Sequence, residues 1–487
     1  MSEKISALER YPDYKIDIGI EVHVQLNTKS KIFCSCSNEQ TEQQNSHVCP
    51  VCCGYPGVLP VISKEVLTNA IKAALATNST ITPKSTFARK HYFYPDLPKN
   101  YQITQDKEPF CTDGHVMITL PDGSEKKIRL IRIHIEEDAG KNLHCSGSGE
   151  SFVDFNRAGT PLLEVVSHPD IESVQEAKEY LKTLRTIVQY LGITTGNMEE
   201  GSFRADTNVS VRKKTSSTLG TRCELKNINS FKFIGDAIEY EVERQIELLE
   251  DGKKVIQQTR LWDTKNHESR PMRSKEEAAD YRYFQDPDLP IIEINPEWIE
   301  RVRELLPELP AQRKERLAKM YGLNAYEIDI LIEDRELCSY YEQAAQTCQS
   351  KQLINWLLRD VMGYLKEYKQ QLFSTFLVTP DKLAELVNLI EKGTINTRAA
   401  QEVFLEIAQT GKNPTVVVQE KGLEQIEDTG ALEAIIKDII AQNPDNVAAY
   451  KSGKTKIFGF FVGQAMQKTQ GKGNPKVIND LLQKYLN

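Results

Sequence analysis

The sequence predicts an α+β protein: a β-rich, largely antiparallel N-terminal domain with flanking helices, then an all-α helical domain and a small all-α tail. Three observations carry this. Apolar and polar residues alternate with a period of two over 16–27 and 128–136, the pattern of half-buried strands. The segment DPDLPIIEINP (286–296) holds three prolines and reads as extended chain crossing a boundary. Beyond it the pattern is almost wholly helical. At 487 residues the chain exceeds a single core, taking roughly 150 residues per domain. The expected divisions are 1–296, 297–410 and 411–487.

In IDIGIEVHVQLN (16–27), Ile18, Ile20, Val22 and Val24 alternate with Gly19, Glu21, His23 and Gln25, so Glu21, His23 and Gln25 share a polar face. In IRLIRIHIE (128–136), Ile131, Ile133 and Ile135 alternate with Arg132, His134 and Glu136. Further strands are expected at 152–155, 203–213 and 221–228. Asp170 is the expected cap of a helix whose apolar residues run from Val174 to Leu191, closed by Gly192. Asn229–Ser230 opens a second helix that ends before Gly252, and Ser274 with Glu277 suggests a capping box and a short helix. In the C-terminal part, Thr379–Pro380 is a helix start, Gly393 its stop, and TGKNP (410–414) a linker.

Composition bounds the function. No apolar run approaches the roughly 18 residues of a membrane span. The opening MSEKISALERYPDYKI lacks the apolar core of a signal peptide, so a cytoplasmic location is expected. A net charge of −8 excludes a uniformly basic nucleic-acid coat. It leaves room for a local patch: Lys451, Lys454, Lys456, Lys468, Lys472, Lys476 and Lys484 face a single acid, Asp480, in the last stretch.

Four of the ten cysteines form Cys34-x-Cys36 and Cys49-x-x-Cys52, twelve residues apart. In a reducing compartment such pairs point to metal, and four thiolates from two short loops suit tetrahedral zinc. Such a site is closed and therefore structural; Cys53 and His47 are possible substitute ligands. A second constellation is acidic: Glu21-x-His23, His134-x-Glu136-Glu137-Asp138, Asp206 in GSFRADTN and Glu224 in TRCELKN lie on strands or at their ends. Carboxylates suit hard divalent cations such as Mg²⁺, although each acid alone is more often a solvated surface residue. Other nucleotide and acyl-transfer signatures are missing. Ser452-Gly453-Lys454-Thr455 lacks the earlier glycine of a Walker loop, where Ala448 stands. Asp154-Phe155-Asn156 is not a kinase metal motif, and neither G-x-S-x-G nor a Gly–Ser-rich amidase loop occurs.

These segments together resemble the B subunit of the aspartyl/glutamyl-tRNA(Asn/Gln) amidotransferase, the GatB/GatE family. The matching strings include IGIEVHVQL (18–26), YPGVLPV (55–61), KHYFYPDLPKNYQITQ (90–105), IHIEEDAGKNLH (133–144), VDFNRAGTPLLEVVSHPDI (153–171), NMEEGSFRADTNVSVR (197–212), CELKNINSF (223–231), DYRYF (280–284) and FGFFVGQAMQKTQGKGNP (458–475). Gln285 stands where the family usually has proline.

The resemblance implies a cradle-like catalytic domain. That domain uses ATP to phosphorylate the side-chain carboxylate of Glu-tRNA(Gln) or Asp-tRNA(Asn). Ammonia from a glutaminase (A) subunit then gives the amide, within a heterotrimer that also holds a small C subunit. It further implies Glu21, His23, Glu137, Asp206 and Glu224 as catalytic Mg²⁺ ligands, with Glu136 the competing choice because strand alternation puts it beside His134. Lys99, Tyr101, Arg204 and Lys226 are the implied phosphate or adenosine contacts. The helical domain and the YqeY-like tail are implied to hold the tRNA. A zinc-containing RNA-binding protein without enzymatic activity, and an amide ligase with its own glutaminase, are the competing readings. The acidic strand ends count against the first, since carboxylates facing phosphates gain nothing for a pure RNA binder; the missing amidase signature counts against the second.

Overall fold

The computed structural model describes residues 6–144, 150–274, 280–370, 375–425, 429–469 and 472–486. The chain forms two compact units, Met1–Arg313 and Lys314–Asn487. In the first, a ten-stranded sheet is built around β1 (Tyr14–Gln25). A smaller sheet contains β2 (Ala88–His91) and β3 (Tyr101–Thr104). The main sheet continues with β4 (Glu125–Glu137), β5 (Pro161–Ser167), β6 (Phe203–Lys213), β7 (Cys223–Lys226), β8 (Gln258–Asp263) and β9 (Glu268–Ser274). Their spatial order is β9-β8-β7-β6-β1-β5-β4, with three shorter strands beyond or beside β4. Among these pairings only β7 with β8 is parallel, so the sheet is largely antiparallel as expected.

The alternation read in β1 has its physical cause in the two faces of this sheet. Ile16, Ile18, Ile20, Val22 and Val24 are at most 1% exposed. Each contributes roughly 1.5–3 kcal/mol by leaving water. They share one core with α1 (Lys64–Ala76), α2 (Val174–Tyr190) and α3 (Phe231–Glu250). The helices thus cover one face, and the polar residues of the strands line the other. A parallel pair needs a crossover connection, and α3 supplies it between β7 and β8. The fully buried Glu241 of α3 is held there by Arg244 (2.6 Å), Gln245 (2.7 Å) and Arg260 (3.3 Å).

One local expectation is corrected and one goes untested. Asp170 does not cap α2; Ser173 does, its Oγ accepting from the Glu176 N–H at 3.0 Å. Asp170 is turned instead to Arg129, accepting from its backbone N–H and its guanidinium. Ser274 ends β9, and the short helix expected after it, with Glu277, falls on 275–279, which lie outside the described residues. The other starts and stops are as read: Ser230 caps α3, Thr379 caps the helix Pro380–Glu391, and Gly192, Gly252 and Gly393 take positive φ.

The second unit is helical and holds two separate cores, one from Leu317 to Val418 and one from Leu432 to Leu486. TGKNP spans a helix end, with Gly411 left-handed after Thr410 and Pro414 opening the next helix. Among the described residues no helix is long and apolar enough to cross a membrane.

Candidate metal centre on the open sheet face

Register assembles the site. In antiparallel pairs, directly opposed residues point to the same face. Glu21 of β1 stands opposite Asp206 of β6. His23 stands opposite Arg204 on that side and opposite Glu164 of β5 on the other. Glu164 in turn faces His134 of β4, and Gln25 and Glu136 both face Leu162. Four strands therefore carry residues far apart in sequence onto one patch.

His23 is its centre. Its Nε2 lies 3.4 Å from Glu164, 3.6 Å from Glu21 and 3.6 Å from Glu136. His134 Nε2 is 3.0 Å from Glu164. Ligand atoms of Glu21, His23 and Asp206 come within 4.8 Å of one another, and so do those of His23, Glu136 and Glu164. Asp206 is ion-paired with Lys226, which also reaches Glu224 at 3.0 Å. Glu224 accepts from the Thr259 hydroxyl at 2.7 Å. Beside Glu21 and Glu224 opens a cavity of about 510 Å³ whose walls include Gly19, Arg132, Asn208 and Thr259.

The crowding shows in the titration. Burial, and then the charge of Glu164, push the Glu21 carboxyl up to about 7. Burial alone would lower His23, but the hydrogen bond it donates to Glu164 and the charges of Glu164, Glu136 and Glu21 outweigh it and push it up to about 9. Burial likewise opposes ionisation of Glu164, yet His134 and His23 hold it well below the usual carboxylate range. Carboxylates gathered around an imidazole, whose proton a bound cation would displace, are a donor set for a hard divalent cation.

Glu137 is not part of this patch. It sits on the opposite pleat of β4, ion-paired with Lys99 and accepting from the Ile103 N–H at 2.9 Å. Lys99, Tyr101 and Glu137 line a second cavity of about 240 Å³ together with Phe33, Cys52 and Gly54. Arg204 reaches Asp138 at 2.9 Å. Burial opposes ionisation of Asp138, but the charges of Arg204 and Arg157 hold it below its usual range.

The four cysteines converge as their spacing requires: Cys34, Cys36, Cys49 and Cys52 Sγ atoms all lie within 4.8 Å of one another. Tetrahedral Zn–S bonds of about 2.3 Å put sulfurs about 3.8 Å apart, and Cys49 and Cys52 are at 3.9 Å. A fully buried lysine, Lys31, points its Nζ at Cys52 Sγ, 3.6 Å away. A hydrogen bond from Cys34, with Lys31 nearby, lowers Cys52 to about 4. Burial pushes Cys36 up to about 11. His47 is turned to the Glu39 carbonyl, 3.0 Å from its Nδ1, and Cys53 is half-buried outside the group of four.

Comparison with known proteins identifies the family. A family model described as the GatB/GatE catalytic domain matches residues 16–300, and one described as the GatB domain matches 339–486. The B subunits of the aspartyl/glutamyl-tRNA(Asn/Gln) amidotransferases of Myxococcus xanthus, Geotalea daltonii and Geobacter sulfurreducens are 50%, 53% and 52% identical, each over 97% of this chain and 99% of its own length. The chain belongs to the GatB/GatE family of aspartyl/glutamyl-tRNA(Asn/Gln) amidotransferases.

Within the family's catalytic domain, the structure brings Glu21, His23, Glu136 and Asp206 together, with Glu224 and Lys226 at the margin. Sequence reasoning missed Glu164. Its signal was present, because an acid in the middle of the apolar strand PLLEVVS is out of place unless a partner awaits it.

Proposed function

We propose that this chain activates the side-chain carboxylate of Glu-tRNA(Gln), Asp-tRNA(Asn) or both, so that ammonia from a partner glutaminase can convert it to the amide. The observation that carries this is the Glu21–His23–Asp206–Glu136 patch on the open face of the family's catalytic domain. A carboxylate does not accept ammonia because oxide cannot leave. Its oxygen attacks the γ-phosphorus of ATP, the bond to the bridging oxygen breaks, and ADP departs. Ammonia then attacks the acyl carbon, phosphate leaves with the C–O bond, and a proton passes to base.

Glu21, His23, Asp206 and Glu136, with Glu164 behind them, are the residues that would hold Mg²⁺; Glu224 and Glu137 are the alternatives within reach of the two cavities. Bound there, the ion neutralises the oxygens that must approach each other. Burial works against the charge of Lys226, but Asp206 and Glu224 hold it above its usual range, so it stays positive beside the larger cavity. Arg204 and, around the smaller cavity, Lys99 and Tyr101 are further candidates for phosphate or adenosine contact. The rigid sheet keeps these groups in place, so that little reorganisation accompanies transfer.

The cysteine group would hold zinc as a structural ion, fixing the loop 34–52. The remaining assignments are the catalytic domain at 1–296, a helical domain at 297–410 and a tRNA-binding tail at 411–487 that carries the lysine patch, within a cytoplasmic heterotrimer of A, B and C subunits. Lysines on a small helical platform suit phosphate contacts, and structured RNA is chosen mostly by shape. The test is turnover: the purified chain with its partner subunits should form ADP only when mischarged tRNA is supplied. ADP formation indifferent to tRNA would overturn the reading.

A further inference from the structure

Beside the acidic patch stands an aromatic wall that the activation chemistry does not use. Lys90 of β2 points its Nζ toward the ring centres of Tyr281 (4.9 Å) and Tyr92 (6.0 Å). Tyr281 meets Tyr92 edge-on at 6.1 Å and Tyr283 at 6.0 Å. Arg282, between the two tyrosines, holds a left-handed φ of 45°, a conformation that needs support from its surroundings. The support comes from His91, whose N–H donates to the Tyr281 carbonyl at 2.9 Å and whose Nδ1 lies 3.2 Å from the Arg282 carbonyl. The wall is not closed over: Tyr283 is 41% exposed, and Tyr94 and Phe93 nearby in sequence are 60% and 81% exposed.

Its position relative to the patch follows from hydrogen bonds. Lys90 pairs with Gln102 across β2 and β3. Gln102 donates to the Glu137 carbonyl at 2.7 Å, and Thr104, two residues on, donates to Glu136 Oε2 at 3.1 Å. The charges of Glu136 and Glu164 reach Lys90 and Tyr283 alike: they keep the lysine above its usual range against burial, and add to the burial that raises the phenol. The wall therefore flanks the Glu136 side of the patch, whereas the 510 Å³ cavity opens at the Glu21–Glu224 side and has room for a nucleotide.

We propose that Tyr92, Tyr281 and Tyr283, ordered around Lys90, are the platform on which the 3′-terminal adenosine of the charged tRNA stacks. This rests on the functional reading above. An aminoacyl ester places the carboxylate to be activated on the same nucleoside as the terminal adenine, so the base must settle close to the activating groups. Aromatic faces hold a base whatever its edge offers.

The test is a binding cycle with the full complex. The native protein should bind uncharged tRNA(Gln) about tenfold tighter than the same RNA lacking its 3′-terminal adenosine. Tyr283→Ala should lose much of that preference, Tyr281→Ala with Tyr283→Ala all of it, and Tyr283→Phe none. The KM for ATP should stay unchanged in each. A flat cycle in the native protein, a preference that survives the double substitution, or a KM for ATP that rises instead would overturn the platform. Amide formation by the native complex separates the two ideas. If it forms amide while the cycle is flat, only the platform falls; if it forms none, the functional reading falls and takes the platform with it.

Discussion

The acidic patch and the cysteine group are both clusters able to hold a metal, and they are built in opposite ways. The cysteines come from two short turns within one stretch, 34–52, so their closeness in sequence is a property any unfolded chain already has. The acids come from four strands, and their geometry exists only once β1, β4, β5 and β6 are in register. A metal on the first cluster would hold the fold together locally. The second is held together by the fold.

That contrast can be broken experimentally, and the largest effect should come from the patch. Glu21→Gln with Asp206→Asn should lower amide formation about 10³-fold, the scale of losing several kcal/mol of transition-state charge stabilisation. Circular dichroism should stay native. Amide formation at the native rate would end the metal-site proposal.

Removing zinc should act the other way round. Cys34→Ser with Cys49→Ser should abolish stoichiometric zinc in elemental analysis and lower stability by roughly 3 kcal/mol, because binding free energy at a structural site is folding free energy. Freshly purified native protein without zinc would remove the cysteine claim and leave the enzyme claim standing.

Neighbouring carboxylates on opposite pleats sharpen the comparison. Glu136→Gln should weaken Mg²⁺ binding about tenfold with little loss of stability. Glu137→Gln should leave Mg²⁺ binding as it is and cost about 1–3 kcal/mol in urea unfolding, since Lys99 would lose its buried partner. The reverse pattern would move the metal to the smaller cavity. The smallest effect expected is at the joint between the two regions. Gly54 sits at φ +68°, and a Cβ there would meet Lys99 Cγ at 2.5 Å and Cα at 3.0 Å. Gly54→Ala should cost about 1–2 kcal/mol through that left-handed backbone, read as a drop in thermal midpoint. An unchanged midpoint would show that the loop yields freely.

Much of the fold was legible because it is periodic. The faces of β1 and β4 follow from side chains alternating across a pleat, and the same rule already placed Glu136 beside His134 and set Glu137 apart. Competition between nearby capping residues was not legible. Asp170 and Ser173 are both good caps, and only the position of Arg129 across the sheet decides that the aspartate is taken. Glu164 escaped for a similar reason, since its two histidine partners arrive from strands on either side. Spacing reports what a loop can reach, but it is silent about what register will deliver.

Glu21 and His23 ride on the strand with neighbours on both flanks near the middle of a ten-stranded sheet. Amides in such a strand exchange with solvent only when most of the unit opens. The patch therefore belongs to the slowest-opening part of its domain. Partner subunits and tRNA can change what approaches it, but they have little means of reshaping it short of unfolding the domain.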